Sequence, residues 1–366
     1  MKKFLTYFSV LFFALAVLSS CNKNDEEPDP YPSDLVKGAY IINYGNYGDG
    51  GASISKYDYD ANQLTNFYYQ QQNPGLELLS NIQYAYEYDD QIFMMGNNPD
   101  QIIAVDPLFE QTKNGITDQI AKPRACAASG DYLYISCWGE NPDWQLMADS
   151  YIAKYNIKTQ TVEETIDLPG GPEGLAISNG KLYAALNYKD SVAVINLDNQ
   201  AISYIVTPAV SSYFLKDNSG NLYVSLVNTY SSPSTETGLG YINTSTDELT
   251  AVYNLPDVSY EYASIMTTDA DQSKIYVITS ETDENWNVTG AVSVFDLATK
   301  TFASEKLISG ISGPRGLAVN PNDGNIYLFT GESVTGAGLM KIYAPSGELI
   351  DQKTVGASPN MAIFLD

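Results

Sequence analysis

The sequence predicts an all-β fold: a seven-bladed β-propeller of four-stranded antiparallel blades, with the ring closed by N- and C-terminal strands. Three observations predict it. An aromatic residue recurs within short apolar segments at Tyr40, Phe93, Tyr134, Tyr183, Tyr223, Tyr276 and Tyr327, 40 to 53 residues apart, close to the ~40–50 residues of a four-stranded blade. Turn signals accompany six of these marks, at Asp89-Asp90, Ser129-Gly130-Asp131, Asn179-Gly180, Ser219-Gly220-Asn221, Asp271-Gln272-Ser273 and Asn322-Asp323-Gly324, as expected where adjacent strands join in hairpins. No long apolar pattern of helical period follows the N-terminal leader.

Taken in order, residues 1–20 read as a leader and not as part of the fold. Met1-Lys2-Lys3 is basic, and Phe4 to Leu18 is an apolar run shorter than the ~20 residues of a membrane span. It ends in Leu18-Ser19-Ser20-Cys21, which resembles a bacterial lipobox and implies lipidation at Cys21. Residues 21–37 form an acidic, proline-rich tether that buries no apolar area. Its Lys23 and Asp25-Glu26-Glu27 resemble the export signal of surface lipoproteins of Bacteroidota. That likeness implies an outer-membrane protein facing outward, attached to the membrane through its lipid alone.

Residues 38–366 carry the blades. The unit is clearest from Gly174 to Val206, where a tight turn at Asn179-Gly180 separates alternating apolar segments, and it recurs from Gly316 to Val355. Seven second strands are countable, yet blade one lacks its innermost strand. Pro359-Asn360-Met361-Ala362-Ile363-Phe364 is an orphan strand at the other end. Pairing it with Gly38 to Ile42 completes blade one and removes two free edges. Gly-Pro-Glu-Gly-Leu-Ala at 171–176 and Gly-Pro-Arg-Gly-Leu-Ala at 313–318, each followed by a turn and a Leu-Tyr or Ile-Tyr pair, resemble the YncE-like seven-bladed propellers. With the leader, the chain resembles the surface propeller lipoproteins that capture cobalamin and pass it to a TonB-dependent transporter.

Composition narrows the chemistry. The net charge is −25, which excludes a phosphate-binding surface and hence nucleic acid. There is no histidine, so no Ser-His or Cys-His pair exists. Cys126 and Cys137 lie 11 residues apart. They read either as a disulfide across a hairpin or as two small buried hydrophobes.

Blade alignment puts one residue of each blade at the same mouth of the channel: Asn360, Gln83, Arg124, Glu173, Tyr213, Tyr262 and Arg315. Loops between second and third strands open on that face. They add Tyr44 and Asn46, Asn97, Trp138 and Trp144, Asn187 and Tyr188, Asn228, and Trp286. All three tryptophans of the chain fall in these loops, where aromatic and amide groups mark a ligand surface. Large planar and amide groups suit a small-molecule nutrient, and the resemblance implies cobalamin. A protein-interaction or glycan-binding scaffold is the alternative. A metal-dependent lactonase or a quinone-dependent dehydrogenase fits less well, because the ring offers one carboxylate where a calcium site gathers several. The expectation is a binding protein and not an enzyme, with no catalytic residue, metal site or cofactor.

Overall fold

A computed structural model describes residues 36–112, 115–229, 232–259, 265–285, 287–331, 333 and 335–365, without the side chain of Glu305. The leader, Cys21, the tether up to residue 35, Tyr262 and Trp286 lie outside the described residues, while Val36 at the tether's end is buried in the core.

Seven antiparallel sheets follow one another around a ring. In chain order the innermost strands are Asn81–Tyr88, Pro123–Ser129, Pro172–Ser178, Val210–Lys216, Met266–Thr268 and Pro314–Val319, and Pro359–Leu365 supplies that of blade one. Among the described residues six sheets have four strands and that of blade two has three, with isolated bridges at Gln111 and Ile116 along its outer edge.

The closure is as the orphan strand predicts. Pro359–Leu365 pairs antiparallel with Gly38–Asn43, with Tyr40 opposite Ile363 and Ile42 opposite Met361. Burial explains why this sequence makes strands of different rank. Second strands such as Gly38–Asn43, Leu222–Val227 and Ile326–Thr330 are buried along their whole length, and most of their residues are β-branched, aromatic or small, with leucine filling the rest of the apolar positions. Outer strands alternate, as in Glu248–Asn254 with Glu248, Thr250, Val252 and Asn254 outward, because only one face touches a neighbouring blade.

The seven recurrent aromatics all lie on second strands and are buried. Each wedges between two sheets: Tyr40 stacks on Phe109 at 4.6 Å, and the Tyr183 hydroxyl donates to Asp247 Oδ1 at 2.6 Å. Burial pushes the phenols of Tyr40, Tyr183, Tyr223 and Tyr327 well up, and that of Tyr155 up to about 12. Above pH ~10, the ordinary tyrosine value, the unfolded chain loses these protons while the native chain keeps them. The phenol contribution is therefore full below pH 10 and falls as the pH rises toward 12. The buried thiols of Cys126 and Cys137 are raised in the same way, and unfolded cysteine ionises near pH ~8.5, so urea midpoints are expected to be level from pH 7 to 8, to decline from about 8.5 and to drop steeply above 10. A level midpoint to pH 11.5 would contradict this.

Cys126 and Cys137 are both buried and free. The hairpin register sets Cys126 opposite Ile135 and Cys137 opposite Pro123, so the two are not cross-strand partners. Burial pushes the Cys137 thiol up to about 12.

Candidate functional site

The repeated Pro-X-Gly at the start of inner strands has a geometric reason. Pro123, Pro172, Pro314 and Pro359 each open an inner strand, a place where the missing N–H costs no ladder bond. The register then shifts just after it. Bulges fall at Gln83, at Arg124-Ala125, at Glu173-Gly174, at Ser212-Tyr213, at Arg315 and at Asn360. A bulge leaves residues unpaired and re-aims their side chains, and here it falls on the six described ring residues. Second-strand serines take the freed amides: Ala125 N donates to Ser136 Oγ at 3.0 Å and Tyr213 N to Ser225 Oγ at 2.9 Å. A Cβ on Gly174 would stand 2.5 Å from the Ser212 carbonyl oxygen, so glycine is required where inner strands of adjacent blades converge.

Within the ring, three residues are already committed to one another. Arg124 Nε donates to Glu173 Oε2 at 3.0 Å and Nη2 to Oε1 at 2.9 Å, and the Tyr213 hydroxyl donates to Oε1 at 2.6 Å. The Arg124 guanidinium also lies 4.1 Å from the ring centroid of Trp138. Burial opposes its charge, but Glu173 more than offsets this and holds Arg124 above the usual arginine range. Burial, reinforced by the Glu173 charge, raises the Tyr213 phenol well above its ordinary value. Asn360 Nδ2 donates to the Ile82 carbonyl at 3.3 Å.

Above this network opens a cavity of about 450 Å³. Of the predicted residues, Tyr44, Gln83, Asn97, Arg124, Trp138, Trp144 and Arg315 line it. The Tyr44 phenol is raised by burial, against the opposing effects of a hydrogen bond with Gln83 and the charges of Arg124 and Arg315. These four side chains thus meet at one place. Arg315 Nη2 donates to the Ser333 carbonyl at 2.8 Å. Trp138 donates Nε1 to the Pro172 carbonyl at 3.2 Å, and Tyr188 supports it edge-on at 5.7 Å.

The loop residues Asn46, Asn187 and Asn228 stand outside the lining, as does Tyr188 beside Trp138. Asn46 Oδ1 accepts from Gly336 N at 2.9 Å, Asn228 Oδ1 accepts from Ser234 N at 2.9 Å, and the Asn187 backbone N donates to the Gly171 carbonyl at 2.9 Å. Glu173, Tyr213 and Asn360 lie behind the wall, buried. Tyr47, Gly48, Asn98, Asp100, Lys122 and Ser358 line the cavity without having been singled out. Lys122 had a signal, since it is a rare cation two residues before Arg124. It approaches Asp100 Oδ2 at 4.0 Å. Among the described residues no group of three His, Cys, Asp or Glu side chains is gathered for a metal ion.

Residues 37–359 match the family described as Domain of unknown function (DUF5074). The chain belongs to this family. No curated protein matches this DUF5074 chain. Solved structures share its fold. A quinonprotein alcohol dehydrogenase-like protein from Bacteroides thetaiotaomicron is 15% identical, with a TM-score of 0.67 over 90% of this chain and 78% of the other. A periplasmic gluconolactonase from Pseudomonas aeruginosa is 12% identical, with a TM-score of 0.65 over 90% and 99%. A 6-phosphogluconolactonase-like protein from Bacteroides uniformis is 12% identical, with a TM-score of 0.63 over 90% and 99%. These correct the expectation that the DUF5074 chain is not an enzyme. Propellers of its fold and size carry the names of catalysts, and lack of histidine is no ground for exclusion. At these identities the likeness establishes the fold alone.

Proposed function

We propose that the cavity captures a small, oxygen-rich organic anion. The observation that carries this reading is the convergence of Tyr44, Arg124, Arg315 and Lys122 on one concave site in a chain of net charge −25. Surface carboxylates are screened within ~8–10 Å at physiological salt; Arg124 is balanced by Glu173 and Lys122 by Asp100, so Arg315 sets the local preference. Guanidinium and phenol donors suit carboxylate or phosphate oxygens. About 450 Å³ lies within the ~300–1,000 Å³ of small-molecule sites. Gluconolactones, the compounds in the names of two similar propellers, and the sugar acids related to them match that size and polarity. A corrinoid, which the YncE-like resemblance implied, is larger and would lie across the mouth with one arm inside. In this reading the lipidated Cys21 and acidic tether hold the site outside the outer membrane, beside a TonB-dependent transporter that receives the ligand.

Calorimetry with D-gluconate, glucono-lactone, D-glucuronate and cyanocobalamin tests it, with the lactone followed for hydrolysis. Replacing Arg315 by Gln is expected to weaken the bound anion by about 1.5–3 kcal/mol, the scale of a charge-assisted hydrogen bond, or tenfold and more in Kd. Unchanged affinity with a lowered melting temperature would leave Arg315 a loop brace and overturn the reading.

A further inference from the structure

Two large rings in the cavity wall have no structural use for most of their surface. Tyr47 is 70% exposed and Trp144 57% exposed, and both line the cavity. Their loops are nonetheless ordered from within. Around Tyr47, Asn46 N donates to the Gly50 carbonyl at 3.0 Å and Asp49 N to the Asn46 carbonyl at 3.1 Å. Beside Trp144, Asp143 Oδ1 accepts the amides of Gln145, Leu146 and Met147 at 2.7–2.9 Å. Trp144 meets Trp138 in an edge-to-face contact at 5.8 Å, which covers at most one of its faces. Rigidly presented, exposed aromatic faces at a concave site are typical of ligand contact, since they offer area at little entropic cost.

Resting on the anion-capture reading, we infer that the ligand is a pyranose carboxylate, a hexuronic acid or its glycoside. Its carboxylate meets Arg315 and Lys122, and its ring face lies on Trp144 and Tyr47. Three chemical demands select this class. The cations call for an acid. The exposed rings call for a flat, C–H-bearing face, which a closed pyranose has and an open-chain aldonate lacks. The lining amides Gln83 and Asn98 call for hydroxyl groups. An arene carboxylate would satisfy the first two demands but leave the amides without partners, a cost that sites built for hydroxyls exact against deoxy analogues.

The test is calorimetry on the full propeller with methyl glucuronide, methyl glucoside, D-gluconate and benzoate. Methyl glucuronide is expected to bind tightest, with the other three at least tenfold weaker. Trp144→Ala and Tyr47→Ala alter exposed side chains and leave the fold intact. Each is expected to weaken methyl glucuronide about fivefold to tenfold, the effect of one aromatic contact, and to leave gluconate unchanged. Gluconate or benzoate binding as tightly as methyl glucuronide would overturn the pyranose assignment while leaving anion capture standing. So would methyl glucuronide affinity unchanged in both variants. Failure of every carboxylate to bind would overturn both.

Discussion

A chain ending at Ala357 is expected to show no cooperative native state. The lost segment contributes the innermost strand of blade one, and with it all the register pairs from Gly38↔Leu365 to Asn43↔Pro359. Its side chains serve two inter-blade cores at once. Ile363 and Leu365 belong to the cluster shared with Ile82 and Phe109 on the blade-two side. Ala362 and Phe364 pack against the cluster of Phe329 and Tyr327 on the blade-seven side, with the Phe364 and Tyr327 rings 5.3 Å apart. Fully burying an Ile, Leu or Phe is worth ~1.5–3 kcal/mol, and each ladder hydrogen bond adds about 1 kcal/mol net. The total matches the ~5–15 kcal/mol by which a whole domain is stable. The cut also bares an edge of Gly38–Asn43, a fully buried strand, which invites aggregation. Urea titration followed by circular dichroism checks this. A sigmoidal transition at the full-length midpoint would mean that the ring is not closed by this strand.

Much of this architecture is legible in the sequence because a propeller repeats a local rule. Tyr183 or Tyr327 announces a second strand by position, and the terminal strand is legible because it had no partner nearby. The outer edge of blade two is not legible in the same way. There Asp106 Oδ1 gathers the amides of Leu108 and Glu110 into a turn, and isolated bridges replace a strand. The candidate site divides along the same line. Arg124, Glu173 and Arg315 stand out because repeat alignment places them at one height, and bulges fix that height. Which ring members are spent on each other is a matter between blades, across 49 residues for Arg124 and Glu173, and no local pattern records it. Lys122 and Asp100 were missed for a related reason, since each lies on the loop of a different blade. Asn46 and Asn228 stand outside the lining because a loop asparagine is as readily a brace for backbone amides as a ligand contact.

Replacing Glu173 by Gln should destabilise the propeller by about 3–5 kcal/mol, the cost of removing one member of a buried ion pair. The carboxylate is 3% exposed and the Arg124 side chain 16%, so little solvent is at hand to take over either charge. Glutamine keeps the volume but can accept on one oxygen only. That oxygen can keep Arg124 Nη2 and the Tyr213 hydroxyl, which now share Oε1, but the amide NH2 takes the place of Oε2 and faces Arg124 Nε donor against donor. Arg124 would be left as a buried cation resting on Trp138. The loss should vary little with salt, because the pair is shielded from bulk ions. Removing the second charge as well, in the pair Glu173→Gln with Arg124→Met, should recover part of the loss, since an apolar replacement no longer strands a charge. Thermal and urea unfolding of the two single variants and the double variant form a cycle. A coupling above about 1 kcal/mol marks the pair as acting together. Additive effects would show that the bidentate contact contributes nothing beyond its parts, and the bulged inner strands would then have to be held in place by the Ser136 and Ser225 bonds alone.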